Sequence, residues 1–224
     1  MSDAAYSSVL FDLDGTLVDT APDLVGVLHD MLRSHEREPL PYELARSHVS
    51  NGAIGLLRIG FPEIEHYYMS PMHVEYLERY EQRICVESKL FDAMPELLDE
   101  LDAGRVPWGI VTNKPEGVTR LLLDELGLLS RSTCTVAGDT LAERKPHPAP
   151  LLHACEVGGM KPQTTVYVGD ALRDVEAGKA AGMGTIAAAY GYITDDDDPA
   201  SWGADCLAAD PAEAATLVRK AVNL

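Results

Sequence analysis

Short, continuously apolar runs alternate with amphipathic stretches along most of this chain, a pattern that predicts an open α/β sheet. Four runs read as buried parallel strands, because they are apolar throughout rather than at every second position. They are Val9-Leu10-Phe11, Gly109-Ile110-Val111, Val166-Tyr167-Val168 and Thr185 to Ala189. Helical patterning follows at Pro115 to Leu126, Ala171 to Ala181 and Pro211 to Val222, and a further helix from Pro95 to Ala103 feeds the strand at Trp108. Gly127, Gly182 and Gly184 stand just past helix ends, where a left-handed cap is wanted.

Residues 21–88 break this rhythm. They hold no convincing strand and read as four helices: Pro22 to Glu36, Tyr42 to Val49, Ala53 to Ile59 and Pro71 to Glu87. Pro39, Pro41, Asn51-Gly52 and Phe61-Pro62 punctuate them. The expected organisation is a core made of residues 1–20 and 89–224, with a small all-helical cap domain, 21–88, inserted after the first strand.

Composition narrows the function. The chain has 224 residues, 46% hydrophobic and 24% charged, enough for one large domain carrying an insert and incompatible with wholesale disorder. Its 36 acidic and 18 basic residues leave a net charge of −18, which disfavours nucleic acid and polybasic membrane attachment. An anionic substrate would need a local cation. With no basic N-terminal region and no run of 18 apolar residues, a cytoplasmic location is expected. The four cysteines form no CxxC pair and read as buried reduced thiols, and the seven histidines show no zinc-ligand spacing. The acidic run Asp195 to Asp198 reads as a solvated loop in preference to a calcium site.

Chemistry collects at the carboxyl ends of the strands, where open α/β sheets bind ligands. Asp12 and Asp14 follow the first run, Thr112, Asn113 and Lys114 the second, and Asp170 and Asp174 the third. Four converging carboxylates repel one another, and a divalent cation relieves that repulsion. An all-oxygen donor set suits Mg²⁺. One carboxylate can then attack a phosphate, while a neighbour protonates the leaving alcohol and later activates water. Asp12 and Asp14 are one residue apart, so an extended backbone turns both to the same side. Taken singly these residues have plain structural readings. Thr112 and Asn113 suit an N-cap, Lys145 a surface lysine, and Asp174 a first-turn helix acid.

Together the motifs resemble the haloacid dehalogenase superfamily. Phe11 to Thr20, Val111 to Asn113, Lys145 to Pro148 and Gly169 to Asp174 look like its four motifs, in order and across the whole chain. The resemblance implies a Rossmann-like core with a parallel sheet flanked by helices, a helical cap, and Mg²⁺ as cofactor. It assigns Asp12 as nucleophile and metal ligand, and Asp14 as general acid/base and a metal ligand through its backbone carbonyl. Thr112 and Asn113 would hold the phosphoryl group, and Lys145 would neutralise nucleophile and phosphate. Asp170 would bind the metal directly, and Asp174 would act through water or by orienting Lys145.

An acid at Asp14 favours phosphoryl chemistry over dehalogenation, because a halide leaves without a proton. The resemblance therefore implies a phosphomonoester hydrolase working through an aspartyl phosphate. A sugar phosphomutase and a non-enzymatic phosphoacceptor domain are the remote alternatives. Val49 to Ala53 resembles the cap loop of phosphoglycolate phosphatases, making Asn51 and Gly52 the expected substrate-cap residues. Ser88 to Phe91, Leu172 to Asp174, Tyr190 to Ile193 and Trp202 to Asp205 look closer to N-acetylmuramic acid 6-phosphate phosphatases. The expected partner is thus a small phosphorylated metabolite, the amino-sugar phosphate ahead of 2-phosphoglycolate, handled by a monomer or homodimer.

Overall fold

A computed structural model describes residues 6–224; residues 1–5 of the expected core lie outside the described residues. The chain opens with β1 (Ser8–Phe11) and a two-residue strand β2 (Val18–Asp19). Four helices follow: α1 (Ala21–Ser34), α2 (Tyr42–Ser47), α3 (Gly52–Gly60) and α4 (Pro71–Glu81). The chain returns through β3 (Lys89–Leu90), α5 (Met94–Ala103), β4 (Trp108–Val111), α6 (Glu116–Glu125) and β5 (Thr135–Val136). It ends with α7 (Ala149–Gly158), β6 (Thr165–Gly169), α8 (Leu172–Ala180), β7 (Gly184–Ala188), β8 (Cys206–Ala208) and α9 (Pro211–Val222).

Six strands form one parallel sheet in the order β5-β4-β1-β6-β7-β8. Strand pleating explains the continuous apolar runs, since successive side chains leave opposite faces and both faces are covered. Val9, Phe11, Val166 and Val168 pack with Leu97, Leu101 and Val218 from α5 and α9. Leu10 and Tyr167, one residue out of step, pack with Leu151, Ala154 and Ala177 from α7 and α8. Because β1 sits between β4 and β6, the ends of all three strands open onto one place.

The helices of the insertion share a separate apolar cluster, in which Leu28, Met31 and Leu32 of α1 meet Leu56 and Leu57 of α3 and Tyr76 and Tyr80 of α4. Val118 and Tyr192 join it from the sheet side. The two crossings between insertion and sheet lie side by side, because β2 pairs antiparallel with β3. Buried Asp23 anchors the return crossing, accepting from the N–H groups of Glu87 and Ser88 at 3.0 and 2.8 Å.

Three details depart from the sequence-based expectation. The fourth insertion helix stops at Glu81 rather than Glu87, because 82–88 turns away to meet Asp23. Gly184 is no helix cap; it opens β7, and a Cβ there would overlap the ring of Tyr6. Gly127 and Gly182 do adopt the left-handed conformation, with φ of +68° and +75°. Strands β2, β3, β5 and β8 and helix α7 lie outside the expected elements.

Candidate active site

Asp12, Asp170 and Asp174 meet at the strand ends, all buried, with carboxylate oxygens within 4.8 Å of one another. Lys145 comes down among them with no exposed side-chain surface. Its Nζ lies 2.9 Å from Asp12 Oδ1 and 2.8 Å from Asp174 Oδ1. It also donates toward the Val111 carbonyl at 2.9 Å and the Tyr167 hydroxyl at 2.8 Å. Four acceptors thus surround three ammonium protons, and the lysine has a single address.

The electrostatics follow from this crowding. Burial pushes the Asp12 carboxyl up to about 6 despite the pull of Lys145, and Asp174 adds to the rise. Burial, then the Asp12 and Asp174 charges, push Asp170 up to about 7. Burial alone would lower Lys145, but the Asp12 and Asp174 charges outweigh it and hold the ammonium above its ordinary value. Lys145 and the nearby Arg173 guanidinium set two cations against three carboxylates, and Asp12 and Asp170 both stay raised.

A metal ion fits that deficit. Asp170 Oδ1 is buried without a hydrogen-bond partner, while Asp170 Oδ2 accepts from Ser50 Oγ at 2.7 Å and from the Tyr192 N–H at 2.9 Å. Gly15 keeps the ground clear: its φ is +81°, and a Cβ there would overlap the Asp170 carboxylate. Asp174 is fully committed, with Oδ1 on Lys145 and Oδ2 accepting from the Ala171 N–H at 3.1 Å.

Asp14 stands beside this group rather than in it. Its Oδ1 accepts from Thr20 Oγ1 at 2.6 Å and pairs with Lys114 Nζ at 3.1 Å. Thr112 Oγ1 accepts from the Lys114 N–H at 3.1 Å, which leaves its own hydroxyl proton to donate elsewhere. The Asn113 side chain is spent at both ends on the Lys145 backbone, giving to its carbonyl at 3.0 Å and accepting from its N–H at 3.1 Å. Asn113 therefore holds the lysine loop to β4, and its backbone N–H, without a partner among the described residues, is free for an anion.

Part of this group opens onto a cavity of about 520 Å³, shared between the sheet and the helical insertion. Asp12, Asp14, Thr112 and Asn113 form its floor, and Ser50, Asn51 and Gly52 form part of its roof. Asn51 is exposed to the cavity, and Gly52 has φ of +63° with nothing within 4 Å of a Cβ, so its glycine answers to backbone conformation rather than to crowding. The roof is fastened by Arg173, whose Nη2 donates to the Ser50 carbonyl at 2.6 Å.

The family model for haloacid dehalogenase-like hydrolases matches residues 9–188, which takes in every motif residue above. The chain belongs to that family. This hydrolase is 45% identical to a phosphoglycolate phosphatase from Xylella fastidiosa strain 9a5c over 94% of its length and 92% of that protein's. It is 38% identical to the N-acetylmuramic acid 6-phosphate phosphatase of Pseudomonas aeruginosa over 96% of each chain. Its fold matches the crystal structure described as a predicted phosphoglycolate phosphatase from Haemophilus somnus, with a TM-score of 0.83, 27% identity and 95% and 97% of the two chains covered.

Sequence reasoning misses five contributors to this hydrolase's site. Tyr167 reads as core, and Lys114 stands beside the second motif without a role. Ser50 and Arg173 stand within motifs, and no sequence signal marks them as the link between roof and floor. Tyr192 holds the crossing itself: its hydroxyl accepts from the N–H groups of Thr20 and Ala21 at 2.7 and 2.9 Å and donates to Asp19 at 2.8 Å. Among the described residues no helix is long and apolar enough to cross a membrane.

Proposed function

We propose that this hydrolase is a Mg²⁺-dependent phosphatase that forms an aspartyl phosphate on Asp12 and acts on an amino-sugar 6-phosphate of the N-acetylmuramic acid kind. The observation that carries the reaction is the convergence of Asp12, Asp170, Asp174 and Lys145 on one buried point beside a cavity. Asp12 is the carboxylate facing both the lysine and the cavity, so it is the attacking group. Lys145 neutralises the equatorial phosphoryl oxygens as they gain charge, and the Thr112 hydroxyl and Asn113 N–H orient them. Asp14, held by Thr20 and Lys114, delivers a proton to the leaving alcohol and takes one from the water that follows. The ion would sit on Asp12, Asp170 and the Asp14 carbonyl, with Asp174 acting through Lys145. When bound it supplies charge neutralisation at the phosphate.

The substrate reading rests on cavity size and the kinship with the Pseudomonas enzymes. A cavity of about 520 Å³ falls in the range of roughly 300–1,000 Å³ that encloses drug-sized ligands, and a glycolate group fills little of it. The 45% identity to relatives named phosphoglycolate phosphatase favours the second reading, 2-phosphoglycolate. Steady-state phosphate release from both esters, with Mg²⁺ and after chelation, tests the proposal. Turnover that survives chelation refutes the metal role. A kcat/KM higher for 2-phosphoglycolate refutes the amino-sugar reading.

A further inference from the structure

The far wall of the cavity is left unused by this chemistry. His73, Tyr76, Leu77 and Tyr80 of α4 all line the cavity, at a spacing that puts them on one helix face. Tyr80 marks the catalytic end, its hydroxyl 2.9 Å from Lys114 Nζ, which itself reaches Asp14. His73 stands seven residues earlier, about 10 Å away along the axis at ~1.5 Å per residue.

His73 is only 8% exposed, yet its ring is half partnered. Nδ1 accepts from the Met69 N–H at 3.2 Å, so that nitrogen carries no proton, and burial, which lowers the imidazole below its ordinary value, acts in the same direction. A neutral ring that accepts at Nδ1 carries its proton on Nε2. That N–H meets no acceptor among the described residues. Beside it Tyr68 and Met69, 67% and 66% exposed, form an apolar lip, with the Tyr68 ring 5.9 Å from the imidazole.

We propose that His73 is a specificity-determining residue, whose Nε2–H donates to an acceptor oxygen at the distal end of the leaving alcohol while Tyr68 covers that alcohol's apolar face. The ligand class this selects is a phosphate ester of a substituted sugar ring. Glycolate reaches only about 4 Å past its ester oxygen, whereas a hexose arm, ring and acyl substituent span about 8 Å by ordinary bond lengths. The inference rests on the amino-sugar reading, with the phosphate held at Asp12.

The test is kcat/KM of wild type, His73→Phe, His73→Gln and Tyr68→Ala on N-acetylmuramic acid 6-phosphate and on 2-phosphoglycolate. His73→Phe lowers the ratio of the long ester to the short one by about 2- to 12-fold. His73→Gln, whose side-chain amide reaches the place of Nε2, recovers most of it. Tyr68→Ala removes an exposed ring that the fold does not need, and it lowers the same ratio. An unchanged ratio in His73→Phe and Tyr68→Ala, or equal losses in His73→Phe and His73→Gln, overturns the assignment. Should His73→Phe not fold, the Tyr68→Ala ratio decides. A wild type that hydrolyses only 2-phosphoglycolate overturns the substrate reading and this inference together. A wild type active on the sugar ester with an insensitive His73 overturns this inference alone.

Discussion

Replacing Asp174 with asparagine probes how tightly the lysine is specified. Asp174 is 1% exposed and uses both oxygens, one on Lys145 Nζ at 2.8 Å and the other on the Ala171 N–H at 3.1 Å. Asparagine offers one acceptor and one donor. If its oxygen keeps Ala171, its NH₂ faces the ammonium, donor against cation. If its oxygen turns to Lys145, its NH₂ faces the Ala171 N–H. Neither orientation satisfies both neighbours. Removing one partner of a buried ion pair costs about 3–5 kcal/mol; Asp12 still faces Lys145 at 2.9 Å, and losing the Asp174 charge relieves Asp12 and Asp170, so the lower figure of about 3 kcal/mol applies. For a domain of this size each kcal/mol moves the melting temperature by roughly 2–4 °C, so Asp174→Asn should melt about 6–12 °C lower. Calorimetry in chelator reads this directly. In a Lys145→Met background the cation is absent, and the same change should cost at least ~1 kcal/mol less. A melting temperature within about 2 °C of wild type, or strictly additive costs in that background, refutes the reasoning.

Further outcomes follow from the same geometry. Asp12→Asn abolishes turnover and leaves the circular dichroism spectrum intact; wild-type turnover in a folded variant would falsify the nucleophile assignment. Tyr192→Phe strands the buried N–H groups of Thr20 and Ala21, at about 1–3 kcal/mol each, and should lower the melting temperature by several degrees, whereas an unchanged value removes Tyr192 from the crossing. Cys134, whose thiol is pushed up to about 12 by burial with Cys155 beside it, should resist alkylation at pH 8 until the protein unfolds. Rapid labelling of the native protein at that position would contradict its burial.

What could be read from the sequence was whatever a strand end marks. An apolar run tells where the backbone leaves the sheet, so Asp12, Thr112 and Asp170 could be brought together without knowing a single distance. Runs of two or three residues such as β5 and β8 carry no periodicity of their own, and their pairing shows only once β4 and β7 are laid down beside them. Helix α7 does carry local signals, with Pro148 before it and the paired Gly158-Gly159 at its end, and Gly159 takes the left-handed cap at φ +66°. Tyr167 illustrates the harder loss. In sequence it is one apolar position among three, and only the register of β6 against β1 and β4 puts its hydroxyl under Lys145.

The same distinction separates chemistry from specificity in this hydrolase. The proposed reacting carboxylates Asp12 and Asp14 come from the end of a strand and are fixed by the parallel sheet, which every member of such a fold must build. The roof meets the floor through contacts between residues more than a hundred positions apart, Ser50 with Asp170 and Arg173 among them. The wall that would measure the substrate is a helix face ten ångströms deep, set by how α4 leans on α1 rather than by any local motif. A short motif can therefore reveal that a phosphate is attacked, because attack needs only a few groups at one point. It cannot reveal the alcohol, because that is read by a surface the motif does not contain. His73 is where the two meet: it belongs to no motif, and only the packed cavity shows its second nitrogen without a partner among the described residues.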